Sequence, residues 1–449
     1  MSWIPICILI LSIILLLLMV LKLKIHAFLA LLAVSVFLGI ATDMPLTSIL
    51  NSMTEGMSST LGFVATVVGI GAIFGQVLEA SGGAESLARF LITKFGKDKA
   101  IYALALTGFM VAIPIFLDVA FIILVPIIYA LAKDTKKSLL YYAIPLLAGL
   151  AVTHSFIPPT PGPVAVANII NADLGWLILF GFVVGIPVTW VAGPVFGKYI
   201  AKKIHVDVPS FVEDFGGMTN KNLPPFWQVA SIIAIPLLLI LTNTVSGVWA
   251  KEYGMEDAFW VKLLGFLGHP FIALLIATFI AIYLIGIRRG FTRENIMDIS
   301  SKALVPAGLI ILITGAGGVF KQLLIDSGIG VALAQSLSGS AIPPIALAYI
   351  LALIIRVTQG SATVAMITSA GIMAPLLEAY TLSEPHKALM VIAIASGATT
   401  LSHVNDSGFW LVGKYLGLTE KQTLQSWTVM ETIISVMGFA LTLILSYFF

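Results

Sequence analysis

Residues 100–132 read AIYALALTGFMVAIPIFLDVAFIILVPIIYALA. The run is too long for one bilayer crossing, which takes about 20 apolar residues, and too short for two, which take about 40. Pro114 and Asp118 stand in its middle. Arg89, Lys94, Lys97 and Lys99 precede it, and Lys133, Lys136 and Lys137 follow. Short loops rich in Lys and Arg stay on the cytoplasmic face, so a single crossing would strand one of these two basic loops outside. The run is therefore read as a re-entrant hairpin of two half-helices, entering and leaving on the cytoplasmic side.

Composition agrees with a membrane-embedded chain. Of 449 residues 59% are apolar and 10% charged, and the mean hydropathy is +1.06; a soluble domain carries about 25% charged residues. The apolar excess runs along the whole chain, which predicts a polytopic membrane protein rather than a soluble one with an anchor. A net charge of +2 with no basic or acidic run argues against a nucleic-acid partner. The one cysteine, Cys7, excludes an internal disulfide and a Cys-based metal site. No charge precedes the first apolar run (about 3–21) and no small-residue cleavage pattern follows it. That run reads as a first membrane helix, N-terminus outside, and not as a signal peptide.

Counting outward from the hairpin, spans are expected at about 3–21, 25–41 and 60–80, the last running inward to the basic loop. After the hairpin, a segment from Ser138 is broken at residues 157–163, IPPTPGP. A span at about 174–197 returns to Lys198, Lys202 and Lys203, and a mixed-charge cytoplasmic linker is expected over 199–225. Spans at about 226–245 and 259–286 end at Arg288, Arg289 and Arg293. Every strongly basic loop then lies on one side.

The chain also repeats itself. Residues 71–82, GAIFGQVLEASG, match residues 317–328, GGVFKQLLIDSG, with Gly71/Gly317, Phe74/Phe320, Gln76/Gln322, Leu78/Leu324, Ser81/Ser327 and Gly82/Gly328 identical. The first copy runs inward and the second outward by the span count, so the repeats are expected to be inverted, with substrate near the midplane where their broken helices meet. A second hairpin is expected over 341–381, around Arg356 and Gly360, entering from outside. A second broken helix is expected over 387–416, interrupted at residues 402–408, SHVNDSG. A last span over 427–449 leaves the C-terminus outside. The expected architecture is thus all-α, with about ten full spans, two re-entrant hairpins and two broken helices. It divides into N-terminal spans (1–59), repeat 1 (60–198), the linker (199–225), scaffold spans (226–300) and repeat 2 (301–449).

Three stretches, residues 153–163 (THSFIPPTPGP), Arg356 with residues 360–364 (GSATV), and residues 402–410 (SHVNDSGFW), resemble the gluconate permease family of sugar-acid:proton symporters, within the larger ion transporter superfamily. The resemblance extends over essentially the whole chain. It implies a homodimer in the bacterial cytoplasmic membrane, a transport domain moving as an elevator against a scaffold, and import of gluconate or a related aldonate driven by protons. Gluconate permeases often carry His at the position of Thr160 and Glu at that of Asp118, which leaves the choice of sugar acid open.

Among single residues, Arg356 in an apolar run needs a partner. It reads as a bidentate clamp on the substrate carboxylate, as half of a structural pair with a carboxylate such as Asp118 or Asp406, or as an arginine reaching the interface. Gly360, Ser361 and Thr363 lie where the hairpin turns, and suit either a polyhydroxy acid at a helix N-terminus or tight helix packing. Asn405 is read as a ligand for substrate hydroxyls, and Asp406 as a proton carrier or a helix cap. His154 and His403 occupy matched places in the two breaks. His154 is assigned to the substrate site and His403 to proton coupling, since histidine titrates near neutrality; the alternative for both is a satisfied buried histidine. Asp118 reads as a proton carrier or hydroxyl acceptor, or as a structural ion pair. Thr160 is the side chain of the first break expected to touch substrate.

No nucleophile elbow, zinc motif or phosphate loop accompanies these residues, so neither an enzyme nor a cofactor or metal is expected. The alternatives to a proton-coupled gluconate importer are a permease of the same fold for another hydroxy-carboxylate, a four-carbon sugar acid or a D-serine-like amino acid, with either protons or sodium as the coupling ion. A channel or an intramembrane enzyme ranks below these.

Overall fold

The computed structural model describes residues 4–209, 222–329, 343–378 and 382–449. Among them every regular element is helical. Seven helices are long and apolar enough to cross a bilayer: Leu46–Ala80, Leu140–Ile169 with its internal break, Leu174–Lys203, Phe226–Glu252, Pro270–Arg289, Arg293–Asp326 and Glu420–Leu445. Shorter apolar helices cover Cys7–Val20, Ala27–Ala41, Pro344–Gln359 and Ala362–Leu377.

Both hairpins are present. In the first, helix Ala100–Val111 ends at a five-residue tip containing Pro114, and helix Leu117–Thr135 leads away. In the second, helix Pro344–Gln359 turns at Gly360 into helix Ala362–Glu378. Each is followed by a segment broken near its middle: Leu140–Phe156 then Pro161–Ile169, and Glu384–Thr399 then Ser407–Leu416. Each hairpin's first arm lies along the first part of its own broken segment. The order long helix, hairpin, broken segment and closing helix thus occurs twice.

The two long helices, Leu46–Ala80 and Arg293–Asp326, form the most extensive packing between elements. They cross where Gly56 and Gly318 let the backbones touch; a Cβ on Gly56 would stand 2.8 Å from the Val319 Cα. Small residues at a crossing are the usual means of close approach inside a membrane, where dispersion replaces the hydrophobic effect. Further along the first long helix, Gly75 admits the carbonyl of Pro114 at the first hairpin's tip.

Several boundaries differ from the sequence reading. The span expected at 60–80 begins at Leu46, because polar residues in its first half are absorbed locally. Ser52 and Thr54 donate to the carbonyls of Ser48 and Leu50 four residues back, at 2.9 Å each, and Ser52 also reaches Asp326 on the other long helix at 2.6 Å. One helix therefore runs through the proposed boundary between 59 and 60. Arg89 and Lys94 sit on an amphipathic helix, Gly83–Phe95, and not in a loop. The span expected over 259–286 is two helices, Phe259–Leu267 and Pro270–Ala281, divided where the His269 side chain and Pro270 start a new N-terminus. Of the expected linker, residues 210–221 lie outside the described residues.

Candidate substrate site

The second hairpin turns on a left-handed residue, Gly360 at φ +81°, a conformation that suits glycine because it lacks a Cβ. A Cβ there would also run into the backbone carbonyl of Asn405. Asn405, in the second break, donates its side-chain amide to the carbonyls of Val357 and Thr358, at 3.0 and 3.4 Å. These are among the last carbonyls of helix Pro344–Gln359, which have no partner within the helix. The break thus clasps the hairpin tip.

Arg356, one turn before the tip, is 2% exposed. Its guanidinium donates to the Gly360 carbonyl and, at 2.6 Å, to Asp406 Oδ2. Asp406 Oδ1 accepts the Gly408 amide at 3.1 Å, capping helix Ser407–Leu416. The Ser402 hydroxyl donates to Asp406 Oδ2, and the Trp427 indole donates to the Ser402 hydroxyl at 2.6 Å. Of the two readings of Asp406, the geometry contains the cap, together with the structural pair to Arg356. The Arg356 Nε retains no hydrogen-bond partner among the described residues, so the guanidinium has one edge engaged and a donor left over.

These groups open onto a cavity of about 350 Å³. Leu117 and Asp118 from the first hairpin line it, as do His154 and Ser155 beside the first break. Arg356, residues 359–363 and residues 405–408 line the second-repeat side, with Trp427 and Glu431 from the last long helix. Helices Leu117–Thr135, Ala362–Glu378 and Ser407–Leu416 all begin at this wall. Three positive helix ends beside a buried guanidinium make the cavity a place for an anion.

Of the residues singled out from sequence, Arg356, Gly360, Ser361, Thr363, Asn405, Asp406, Asp118 and His154 therefore share one wall. Two do not. Thr160 is buried at the start of helix Pro161–Ile169, donates to the Ile157 carbonyl at 2.6 Å, and lines a separate small crevice against Gly71 and the first hairpin's tip. Its break is packed shut by its own prolines and the long helix, so Thr160 holds the turn. His403 is half-buried, with Nδ1 2.9 Å from the Leu401 carbonyl, and does not line the cavity. The break turns its ring back onto its own backbone.

Three cavity residues carried no weight in the sequence reading. Gln359 has neither amide atom hydrogen-bonded among the described residues. Trp427 is aimed inward by a π-helical turn, Leu424–Thr428, that is tied to the second break through the Thr428 hydroxyl and the Ser402 carbonyl. Glu431 is 5% exposed, and its Oε1 has no partner among the described residues. The available signal for Glu431 was a carboxylate inside an apolar run, which is costly enough in a membrane to mark function by default. Among the described residues, no group of three or more His, Cys, Asp or Glu side chains is placed to hold a metal ion.

The fold has solved relatives at low sequence identity. The YdaH transporter of Alcanivorax borkumensis superposes with a TM-score of 0.63 at 14% identity, over 90% of each chain. MtrF of Neisseria gonorrhoeae superposes with a TM-score of 0.62 at 13% identity, over 88% of this chain and 84% of its own. Sequence relatives are much nearer. The low-affinity gluconate transporter of Escherichia coli K12 is 40% identical over 413 residues, 92% of both chains. The gluconate permease of Pseudomonas aeruginosa is 38% identical over 425 residues, 94% of this chain and 93% of its own. The L-idonate transporter of the E. coli K12 Gnt-II system is 38% identical over 414 residues, 92% of both. The profile of the GntP family permeases matches residues 4–448. With a membrane-spanning helical fold, a cavity where both hairpins meet, and relatives that align along nearly the whole chain, this protein belongs to the GntP permease family and is a transporter, not an enzyme.

Proposed function

We propose that this permease imports gluconate or a closely related sugar acid together with protons across a bacterial cytoplasmic membrane. The observation that carries the reading is Arg356, a buried guanidinium with an unused donor on the wall where two hairpin tips and a broken helix converge. A carboxylate supplies the acceptor that this donor lacks. Ser361, Thr363, Asn405 and Gln359 offer hydroxyl and amide groups to the sugar chain, with Asp118 and His154 facing them from the first repeat. Relatives named for gluconate and for L-idonate support a six-carbon sugar acid over a four-carbon acid or an amino acid.

Proton coupling draws on the ionisable groups of the cavity wall. His403 is outside that wall, so the coupling role falls to the ionisable groups that line it. Alternating access by an elevator motion, a homodimer, and both termini on the outer face complete the proposal. The test is uptake of radiolabelled gluconate into proteoliposomes under an imposed pH gradient. Uptake is expected with the interior alkaline, to collapse when the gradient is dissipated, and to weaken by about 10–100-fold in apparent affinity in Arg356→Ala, the range for one charge-assisted hydrogen bond. Uptake driven equally well by sodium, or gluconate affinity that survives the substitution, would refute it.

A further inference from the structure

The cavity wall carries one guanidinium and three carboxyls, and the carboxyls differ in how they are held. Asp406 has both oxygens engaged: Oδ1 by the Gly408 amide, Oδ2 by Arg356 and the Ser402 hydroxyl. It serves at once as helix cap and as partner of Arg356. Asp118 stands exposed in the first turn of helix Leu117–Thr135, beside that helix's positive end. Glu431 has none of this support. It lies well inside the continuous helix Glu420–Leu445 rather than at its N-terminus, it is buried, it enters no ion pair among the described residues, and its Oε1 finds no donor there.

We infer that Glu431 is the carboxyl that takes up the coupling proton when an anionic substrate docks. The inference rests on the sugar-acid:proton reading above. Charge balance supplies the reason. Asp406 already neutralises Arg356, so an incoming carboxylate adds an uncompensated negative charge beside the buried Glu431, and burying such a charge is prohibitive unless it is paired or neutralised. A proton delivered to Glu431 from the aqueous phase that brings the substrate removes one negative charge from the wall. Loss of that proton on the far side, after the substrate has left, restores the starting state. The proton is bound and released as such, and no other bond changes.

The titratable groups around Glu431 come from the helices packed against it and from the shared wall, where the His154 Nδ1 is also without a hydrogen-bond partner among the described residues. The part of its helix that carries Glu431, Val429–Leu445, packs against Pro344–Gln359, Leu140–Phe156, Glu384–Thr399 and Leu174–Lys203. The first contributes Arg356, and also Tyr349, which is hydrogen-bonded to Ser435 at 3.0 Å. The second contributes His154, with Tyr141 and Tyr142 at its opposite end. The third has Glu384, His386 and Lys387 in its first turn, at the end away from the cavity. The fourth has Lys198, Tyr199, Lys202 and Lys203 in its last turns. Asp406 and Asp118 are the remaining charges on the shared wall.

The experiment measures gluconate binding to purified protein by titration calorimetry, in buffers of different ionisation enthalpy, across a pH series. One proton taken up per substrate makes wild-type affinity fall about tenfold per pH unit once the accepting group is deprotonated in the free protein. Glu431→Gln is expected to bind with no proton uptake and a flat profile, and to lose gradient-driven accumulation at least tenfold. Infrared difference spectra of the wild type provide a readout that needs no variant: gluconate should raise the C=O stretch of a newly protonated carboxylic acid. That band should disappear in Glu431→Gln and shift in Glu431→Asp. Proton uptake that persists in Glu431→Gln, or a wild-type spectrum without the band, would overturn the assignment. Wild-type protein that binds no aldonate would instead overturn the substrate reading, and is seen before any variant is compared.

Discussion

Asp406→Asn separates the two things that Asp406 does. Asparagine is as good an N-cap as aspartate, so the bond from the Gly408 amide survives. What disappears is the negative charge 2.6 Å from the Arg356 guanidinium, in a pair whose side chains are 3% and 13% exposed. Removing one partner of a buried pair costs about 3–5 kcal/mol, mostly because the remaining charge is left without compensation. Asp406 borders a cavity that water enters, which places the loss near 3 kcal/mol. A substrate carboxylate can then take the vacated role. At a ligand concentration of 100 times Kd, binding returns about 2.7 kcal/mol, nearly the whole loss. Thermal unfolding of the purified protein in detergent, with and without gluconate, reads both quantities. The variant should melt several degrees below wild type alone and should gain more from gluconate than wild type does, since no resident carboxylate competes for the guanidinium. Adding Arg356→Met should recover stability while abolishing the gluconate response. A variant as stable as wild type without ligand, or one with a weaker gluconate response, would mean that Asp406 does not hold Arg356 in the way the geometry indicates.

Other substitutions probe the parts around this pair. Gly360→Ala forces a side chain into left-handed backbone, at about 1–2 kcal/mol, and into the Asn405 carbonyl; gluconate affinity should fall more than tenfold. Gly62→Ala, where nothing lies within 4 Å of the added atom, is the matched control, and an equal loss there would discredit the clasp. Thr160→Ala removes the hydroxyl bonded to Ile157 and should cost about 1 kcal/mol of stability with Kd changed less than about twofold; a large change in Kd would return Thr160 to the substrate wall. Tyr129→Phe deletes a 2.5 Å bond to the Tyr415 carbonyl that ties the first hairpin to the end of the second broken helix. It should lower the melting midpoint by about 1 kcal/mol equivalent, and an unchanged midpoint would show that this tie contributes nothing.

Both hairpins were legible because length and charge disagreed in residues 100–132, and because Arg356 and Gly360 repeat the arrangement in the second half. Arg356, Asn405 and Asp406 were legible as polar groups in apolar surroundings. Less visible was anything that depends on which way a side chain faces. Thr160 and His403 occupy polar breaks, yet one points into a proline-walled crevice and the other back onto its own chain; breaks at membrane depth must bury their irregular backbone, and side chains of the break are recruited to do so. Glu431 was hidden by position, four residues into an expected span, where a carboxylate passes for an interfacial charge. The start of the first long helix was obscured by Ser and Thr, which satisfy themselves on carbonyls one turn back.

The two breaks are chemically unequal, and this assigns an orientation to the substrate. The first, residues 157–163, contains Pro158, Pro159, Pro161 and Pro163, and proline has no amide hydrogen to offer an anion. The second, residues 402–408, keeps its amides and carries Asp406 beside Arg356. A ligand with one charged end and one polyol end is therefore expected to dock its carboxylate on the second repeat and to extend its hydroxyls toward Asp118, His154 and Ser155 of the first. Gluconate and idonate differ at the carbon next to the terminal hydroxymethyl, far from the carboxylate, so the first repeat should distinguish them. Asp118→Asn replaces a carboxyl acceptor of hydroxyl protons with an amide and should change the ratio of gluconate to idonate affinity by about tenfold, the equivalent of one strong hydrogen bond. Binding of glycolate, too short to reach Asp118, should be unchanged in the same variant. Equal effects on all three acids would place Asp118 at the carboxylate end and reverse the orientation.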